Sequence, residues 1–344
     1  MISNRGLLLH LVLLGVASAL AFSVWTKEDA PKAAKKAEVQ VWAGRVQDLK
    51  SIAFESEDRS VQLTAHKDAN GAYFEGRVEK TIRVAPPPPP RSDAGADAAV
   101  APPPKAPEPK KETVRFVGVE QANKLAESLA PMMALRALGP VEPARDAEFG
   151  FDKPAGTVRV TLGATTHTLI IGGTTPGGGD RYARLDGGGA FAIEGSVAQN
   201  LMFAESRLVE RDLFGFEQDE VAKVVIKAPE RSRELVRAAD KKDGWADAAS
   251  PSVLDETAGN WMSKITKLRI MSYEPPETAS PESFASVEFF AKGGRSLGQL
   301  SLFRVPTPDG KARFTAQSAH TRWRAEVLSS AAEQIHQDLT SVLK

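Results

Sequence analysis

The sequence predicts an α+β protein in which a single N-terminal transmembrane helix precedes two duplicated domains, each an antiparallel sheet with packed helices. Three observations support this: a long apolar segment near the N-terminus, short alternating strand patterns between turn residues, and one order of elements that recurs in both halves. The 344 residues exceed one ordinary domain, and 42% of them are hydrophobic, which is enough to build packed cores.

Charge and cysteine content exclude several classes of function. The 44 basic and 44 acidic residues cancel, so no net field attracts a phosphate backbone and we expect no nucleic-acid partner. The chain has no cysteine. Disulfides, thiolate nucleophiles, iron–sulfur clusters and cysteine-ligated zinc are therefore excluded.

The apolar segment 6–25 is long enough to cross a bilayer. Twenty helical residues span about 30 Å, the thickness of the hydrocarbon core, and Trp25 falls where an interfacial aromatic is favoured. The alternative is a cleaved signal peptide, because Ala17-Ser18-Ala19 and Ala19-Leu20-Ala21 are small-x-small patterns. The apolar run continues past both sites, which favours an uncleaved anchor.

The flanking charges do not decide the orientation of this segment. By count, Lys27, Lys32, Lys35 and Lys36 favour a cytoplasmic soluble part. Long soluble domains, however, are translocated largely regardless of flanking charge. We therefore expect a single-pass protein of the bacterial inner membrane, with residues 1–5 cytoplasmic, residues 26–39 as a juxtamembrane linker and the soluble part periplasmic.

Residues 85–112 form a proline-rich tether. Proline fixes φ and lacks the amide donor, so this stretch is expected to be neither a helix nor an inner strand, but an extended solvated spacer. A docking site for a proline-recognising domain is the alternative. The tether interrupts the first repeat.

The two repeats are predicted over residues 40–212 and 213–344. Each begins with a pair of strands that leads to a turn and an aromatic residue, Tyr73-Phe74 or Trp245. A helix, four strands and a final helix follow in both. The final helices are predicted to begin with capping boxes at Ser196 and Ser330.

The residues that define these elements recur at helical or strand spacing. The predicted apolar stripes are Ala122, Leu125, Ala126, Leu129 and Met133, then Leu201, Ala204 and Leu208 in the first copy, and Trp261, Ile265 and Leu268, then Ile335, Leu339 and Val342 in the second. The predicted later strands are 157–162, 168–171, 181–185 and 190–193 in the first copy, and 286–290, 299–303, 312–316 and 322–326 in the second.

Three motifs carry a family resemblance: Phe149-Gly150-Phe151-Asp152-Lys153-Pro154, Leu169-Ile170-Ile171-Gly172 and Arg181-Tyr182-Ala183-Arg184. With the preceding anchor, they resemble the bacterial domain-of-unknown-function family numbered 4340 over most of residues 40–230. The proline-rich tether departs from the family pattern as an insertion. Members are often encoded beside permeases of ABC-type exporters and gliding-motility auxiliary proteins. The resemblance implies an accessory envelope role and supplies no functional residues.

The sequence offers no recognisable catalytic, cofactor or metal site. The histidines His10, His66, His167, His320 and His336 lack metal-ligand spacing, and no serine-elbow motif occurs. The glycine-rich stretch 172–180 lacks the lysine of a phosphate loop and precedes a strand, which predicts a hairpin. Alternation places Arg181 on one strand face and Tyr182 with Arg184 on the other, which weakens a shared anion clamp. Asp152, just before Lys153-Pro154, is predicted to end a turn.

We therefore expect a non-catalytic, membrane-anchored accessory or binding protein of the cell envelope, with no cofactor and with ligand-binding residues that the sequence leaves unknown. Its expected partners are the membrane and an envelope protein, such as an ABC-type transporter complex. The competing class is an envelope hydrolase that cleaves glycan through carboxylates distant in sequence. Paired carboxylates of raised pKa in a cleft would favour the hydrolase, and a flat or grooved apolar surface the binder.

Overall fold

A computed structural model describes residues 38–83, 109–238, 244–278, 281–308 and 310–344. These residues form a nine-stranded sheet, here the first sheet, an eight-stranded second sheet and a two-stranded ribbon. Every strand pairing is antiparallel and several helices pack on the sheets, consistent with the predicted α+β class. In the described ranges, no helix is both long and apolar enough to cross a membrane. The predicted anchor, residues 6–25, lies outside these ranges.

Within the described ranges, the first half of the chain supplies eleven strands and four helices. The strands are β1 (Val39–Trp42), β2 (Leu49–Glu55), β3 (Arg59–Asp68), β4 (Gly71–Arg83), β5 (Pro109–Gly118), β6 (Met132–Ala134), β7 (Arg136–Gly139), β8 (Gly156–Leu162), β9 (Thr165–Thr174), β10 (Asp180–Leu185) and β11 (Ala190–Glu194). The helices are α1 (Glu120–Leu129), α2 (Asp146–Phe149), α3 (Gly195–Met202) and α4 (Ala204–Arg207), with short 3-10 turns at Val46–Asp48 and Pro143–Arg145.

The described residues of the second half supply eight strands and two helices. The strands are β12 (Val221–Ala228), β13 (Arg231–Arg237), β14 (Trp245–Asp247), β15 (Ile270–Tyr273), β16 (Ser283–Ala291), β17 (Ser296–Pro306), β18 (Ala312–Ser318) and β19 (Ala325–Val327). The helices are α5 (Glu256–Thr266) and α6 (Ser329–Val342), and a 3-10 turn at Gln218–Glu220 precedes β12.

The two sheets share one strand order. The first runs β5-β4-β3-β2-β8-β9-β10-β11-β7 and the second β14-β13-β12-β16-β17-β18-β19-β15. With β5 set aside, strands at the same point of the chain occupy the same place in each sheet. The opening hairpins also share a register, because Ile52 lies opposite Leu63 and Val224 opposite Leu235.

Alternation along the strands buries one face of each sheet beneath helices. In β8, Val158 and Val160 are fully buried while Arg159 between them is exposed. Helix α1 buries the predicted stripe from Ala122 to Leu129, and α6 buries the stripe that contains Ile335. The predicted pattern of apolar residues therefore identifies the core-facing surfaces of these elements.

One tryptophan in each half links neighbouring elements by its indole N–H. Trp42 donates to the Leu129 carbonyl oxygen at 2.8 Å, and Trp261 donates to the Ile335 carbonyl oxygen at 2.9 Å. Both indoles are buried, where a hydrogen bond removes the cost of desolvating the N–H group.

Several predicted boundaries are wrong. The capping boxes at Ser196 and Ser330 do not form, since α3 and α6 follow Glu194 and Leu328 without any side-chain cap. In both cases the helix starts within two residues of the end of a strand. The capping positions are therefore occupied by Glu194 and Leu328, and each serine lies one residue inside the helix.

Other errors come from tertiary pairing. Met133 belongs to β6 rather than to α1, and the stretch from Gly71 is a 13-residue strand rather than a turn with an aromatic. The stripe from Leu201 to Leu208 is split, with Leu201 in α3, Ala204 in α4 and Leu208 just after α4. Strand β19 begins at Ala325, because Arg322 has φ 56° in the preceding turn.

The observed boundaries of the tether and of helix α5 also differ from the predicted ones. The last four tether residues, 109–112, belong to β5, while residues 85–108 lie outside the described ranges. Leu268 is buried just beyond the end of α5. A long partner strand can thus recruit residues that local sequence assigns to a spacer.

Replacing Trp261 by Phe should lower the free energy of unfolding by about 1–3 kcal/mol, because it removes a buried hydrogen bond and leaves unfilled volume. Urea unfolding followed by circular dichroism measures this loss. The control is Met271→Ala at an exposed position, expected to change stability by less than about 0.5 kcal/mol. Equal effects of the two substitutions would contradict the assigned role of Trp261.

Candidate functional site

The segment 208–220, here the linker, joins α4 to β12 and contacts both sheets. The amide of Glu210 donates to the Val117 carbonyl oxygen in β5 at 2.8 Å. The amide of Ile270 in β15 donates to the Arg211 carbonyl oxygen at 3.1 Å. Consecutive linker residues are therefore bonded to different sheets, and the linker fixes one sheet against the other.

The Glu210 side chain is the polar centre of this junction and is only 9% exposed. One carboxylate oxygen accepts the Asp212 amide at 2.9 Å. The other lies 3.5 Å from the Glu120 amide at the start of α1 and 3.5 Å from Nε2 of His320. A carboxylate at a helix N-terminus also interacts favourably with the helix dipole. The linker, the first sheet's helix and the second sheet thus meet at one carboxylate.

Two opposing effects set the pKa of Glu210. Burial alone raises the pKa, because it disfavours the charged form, but hydrogen bonds from His320 and the Asp212 amide outweigh burial and hold the pKa below its ordinary value. The carboxyl group is therefore held ionised as an acceptor. Tyr273, whose hydroxyl donates to the Glu210 carbonyl oxygen at 3.0 Å, has its pKa raised by burial and stays a neutral donor.

The turn between β18 and β19 reaches across to the first sheet. Arg322 in this turn donates to both carboxylate oxygens of Asp68, each at 3.1 Å, and its guanidinium lies 4.5 Å from the Tyr73 ring centre. It also donates to the His320 carbonyl oxygen at 2.7 Å. The hydrogen bond from Arg322 lowers the pKa of Asp68. Arg322 is thus a bidentate clamp between the sheets.

A cleft of about 550 Å³ opens between the two sheets and the linker. Its lining combines carboxylates, two aromatic rings, a guanidinium and an imidazole: Val119, Glu120, Glu210, Asp212, Phe214, Gly215, Phe216, Glu217, Gln218, Glu220, Thr266, Arg269 and His320. Phe214 and Phe216 also contact Phe289 of the second sheet, with ring centres 5.2 Å from it. This packing holds the two aromatic rings of the cleft against strand β16.

The family motifs meet elsewhere, on the side of the first sheet opposite the main core. Arg184 pairs with Asp146 at 2.7 Å and lies 4.6 Å from the Phe151 ring centre. Tyr182 packs edge-on against Phe149 at 5.0 Å. The predicted alternation places Arg181 on the strand face opposite Tyr182 and Arg184. The contacts agree, because Arg181 donates instead to the Gly172 carbonyl oxygen at 3.2 Å.

The two glycines of these motifs permit a close approach of backbones. A Cβ at Gly172 would collide with the Phe149 carbonyl oxygen, and one at Gly150, where φ is 72°, would lie 2.6 Å from the Gly173 nitrogen. Asp152 is exposed in the bend that follows. These motif residues pack a loop onto the sheet, and none of them lines the cleft.

The glycine-rich stretch forms a hairpin, as predicted: residues 175–179 are the turn between β9 and β10, and the Thr175 amide donates to the Asp180 carbonyl oxygen at 3.0 Å. Three histidines lie against aromatic rings: His66 on Tyr73, His167 on Trp42 and His336 on Phe284. Within the described parts of the chain, no three His, Asp or Glu side chains are placed to hold a metal ion. His10 lies outside those parts.

Sequence reasoning missed the residues that shape the cleft. In the sequence, His320 is an isolated histidine. Nothing in the sequence groups Glu210 with Arg322 and Asp68, because the contacts of these residues join distant parts of the chain. One signal was present: Phe214-Gly215-Phe216 repeats the Phe149-Gly150-Phe151 pattern. A repeated aromatic-glycine-aromatic step indicates a second close approach at a glycine, here between Gly215 and the His320 ring.

The fold and the cleft together define an antiparallel α+β protein whose two sheets are joined through a buried linker carboxylate. A family model described as Domain of unknown function (DUF4340) matches residues 105–287, more than half of the chain. The chain belongs to this family. The match contains the three motifs and the linker, but it begins later and ends later than the resemblance over 40–230. No curated protein and no solved structure matches the chain.

Replacing Glu210 by Gln should lower the free energy of unfolding at neutral pH by about 1–3 kcal/mol. The folded pKa lies below the ordinary 4.5, so ionised Glu210 contributes fully above that value and loses its contribution as pH falls through the folded pKa. The difference between the two proteins should therefore shrink in acid. Chemical unfolding at a series of pH values measures it, with exposed Glu333→Gln as control; parallel profiles would refute the role of Glu210.

Proposed function

We propose that this protein is a non-catalytic, membrane-anchored accessory or binding protein of the bacterial cell envelope that serves an ABC-type export system. The cleft at the linker is its proposed binding site. The observation that carries the proposal is the state of Glu210: the carboxyl group deepest in the cleft is held as an ionised acceptor. A group held in that state fixes structure and accepts hydrogen bonds but does not deliver a proton.

The shape and lining of the cleft also support binding. Concave surfaces between rigid bodies, with aromatic walls and a few placed polar groups, are the usual form of a ligand site. Here Phe214 and Phe216 supply the aromatic wall, and the Arg269 side chain lies 3.3 Å from the Asp212 carboxylate at the margin. Because the start of α1 and the turn after β18 both contribute to the lining, an occupant of the cleft would contact both halves of the chain at once.

The second candidate is an envelope hydrolase acting on glycan. The observation in its favour is that several carboxylates, among them Glu120, Asp212 and Glu217, share the cleft with Glu210. Glycoside cleavage needs one carboxylic acid of raised pKa beside an ionised partner. The lowered pKa of Glu210 suits the ionised partner but not the proton-donating acid. Release of soluble glycan fragments that is abolished by both Glu120→Gln and Glu210→Gln would establish the hydrolase instead.

We further infer that the two sheets arose by duplication over residues 40–212 and 213–344, and that residues 6–25 anchor the chain with its soluble part in the periplasm. The shared strand order and hairpin register support the duplication. The apolar length of the segment supports the anchor. The proline-rich tether lies between β4 and β5, which pair in the first sheet, so the role we propose for it is that of a spacer inserted within the first repeat.

Filling the cleft should abolish partner capture. Thr266→Trp places a bulky ring at the lining, whereas Glu333→Trp adds the same ring at an exposed position on α6. Copurification from detergent-solubilised membranes, quantified by mass spectrometry, should recover a transporter-type partner with the wild type and with Glu333→Trp. Recovery with Thr266→Trp should fall at least about tenfold, which corresponds to about 1.4 kcal/mol of binding free energy. Equal recovery by both variants would exclude the cleft as the binding site.

Export of the soluble part makes a separate prediction. Alkaline phosphatase fused after Lys344 should be active in cells, and a cytoplasmic reporter fused at the same position should be inactive. The intact mass of protein extracted from membranes should correspond to an uncleaved N-terminus. Reversed reporter activities would show a cytoplasmic orientation, and a mature chain that starts near Phe22 would exclude the anchor.

A further inference from the structure

We infer that the cleft at the linker receives a basic, extended segment of the partner protein, whose lysine or arginine side chains contact the carboxylates and aromatic rings of the lining. The inference rests on the proposed function of the cleft and names the chemistry of its occupant. The cleft combines an excess of carboxylates, an aromatic wall and a second cavity that shares this wall.

The charges of the lining are predominantly negative. Against one guanidinium and one imidazole stand five carboxylates, those of Glu120, Glu210, Asp212, Glu217 and Glu220. The chain as a whole has 44 basic and 44 acidic residues, so this excess is a local property of the cleft. A concave surface lined by one sign of charge focuses its field and concentrates ions of the opposite sign. The cleft therefore favours a cation and repels a phosphate or a carboxylate.

The carboxylates at the margin of the cleft are accessible to an incoming cation. Three of them have basic neighbours: Asp212 lies 3.3 Å from Arg269, Glu120 lies 2.5 Å from Lys124, and Glu220 lies 3.2 Å from Arg295. All six side chains are at least 41% exposed. Ion pairs this exposed contribute little stability, because water and salt screen them. A basic side chain of the partner can therefore replace a neighbour at small cost.

The aromatic wall supplies a second means of recognising a cation. Phe214 and Phe216 line the cleft and are half-buried, and their packing against Phe289 holds both rings in place. The face of an aromatic ring carries partial negative charge and attracts an ammonium or guanidinium group. The same chemistry operates nearby in this molecule, where the Arg322 guanidinium lies 4.5 Å from the Tyr73 ring centre.

The second cavity favours an extended segment over a small amine. It has a volume of about 150 Å³ and shares the step Phe214-Gly215-Phe216 and His320 with the cleft. Its remaining lining residues carry no charge, among them Asn70, Leu213 and Gln299. A peptide can therefore place a basic side chain in the cleft and a neutral one in the second cavity, whereas a lone amine would fill only the cleft.

The test measures binding of a defined probe to the purified full-length chain in a non-ionic detergent. The probe is a fluorescent hexapeptide of alternating alanine and arginine, and its control has glutamate in place of arginine. Fluorescence anisotropy should show saturable binding of the basic peptide alone. Its affinity should fall at least about fivefold from about 0.1 M to about 1 M salt, because the Debye length shortens from about 10 Å to about 3 Å. Absence of binding, or affinity that does not change with salt, overturns the inference.

Paired charge-neutralising variants test the carboxylates. Asp212→Asn combined with Glu217→Gln removes two charges from the lining and should weaken binding of the basic peptide about three- to tenfold. The control, Asp186→Asn combined with Glu333→Gln, removes two charges at exposed positions outside the cleft and should leave the affinity unchanged. Thermal unfolding checks that both proteins are folded. Equal affinities of the two double variants would contradict the assigned role of the lining.

Two further substitutions locate the peptide. Phe216→Leu keeps an apolar side chain but removes the ring, and should weaken binding about two- to fivefold. Thr266→Trp fills the cleft and should abolish binding; undiminished binding by this variant would place the peptide elsewhere and overturn the inference. Spermidine at the same concentration of positive charge should displace little of the peptide. Complete displacement by spermidine would overturn the assignment to a peptide segment.

These measurements separate the occupant from the proposed function. Binding of the basic peptide without capture of a transporter-type partner would support the basic occupant and remove the proposed partner. Capture of that partner by the variant with Asp212→Asn and Glu217→Gln, at the wild-type level, would support the proposed function and overturn the basic occupant.

Discussion

The arrangement of this molecule depends on a buried carboxylate with donors from three directions. Glu210 accepts hydrogen bonds from the linker and from the start of α1, and it faces an imidazole of the second sheet. Removing a carboxylate from water is costly unless its lone pairs are satisfied. That requirement couples the three elements, because displacing any one of them leaves a buried charge short of a partner.

The two sheets bury the corresponding outer edges in different ways. Beside β10 and β11, the first sheet uses the aromatic contact of Tyr182 with Phe149. Beside β18 and β19, the second uses an ion-pair network in which Glu274 and Arg324 are 5% and 6% exposed, and Arg313 lies 2.6 Å from Glu274. Such a network adds little stability over apolar packing but is costly to break. It therefore fixes the loop after β15 beside the turn between β18 and β19, whose His320 lines the cleft.

The sequence predicts the elements whose signals are local. The sequence predicts strands β8 to β11 and β16 to β18 because glycine-rich or Pro-Asp-Gly turns separate segments of alternating apolar and polar residues. The long β4–β5 pairing is not predicted, since the first four residues of β5 lie in the proline-rich tether, and β1, β6 and β7 are too short to show periodicity. The shared order of elements was visible in the sequence because both halves repeat the same series of local signals.

The candidate site was not predictable by the same means. Glu210 stands in a charged stretch that reads as a solvated linker, and His320 in a polar turn; only the fold brings them together. The alternation that correctly separates Arg181 from Arg184 works within one strand, whereas the cleft is made by contacts between sheets. Long-range polar contacts leave no periodic trace, so a charge that looks solvated can be buried by distant elements.

The position of the cleft has a consequence for any ligand that enters it. The buried apolar residues of the two halves form one continuous cluster, and the concave surface arises where the linker crosses between the sheets. Because the linker is hydrogen-bonded to both sheets, the contacts that fix one sheet against the other also hold the walls of the cleft. An occupant would therefore meet polar groups that are already in place, which reduces the ordering cost that binding has to overcome.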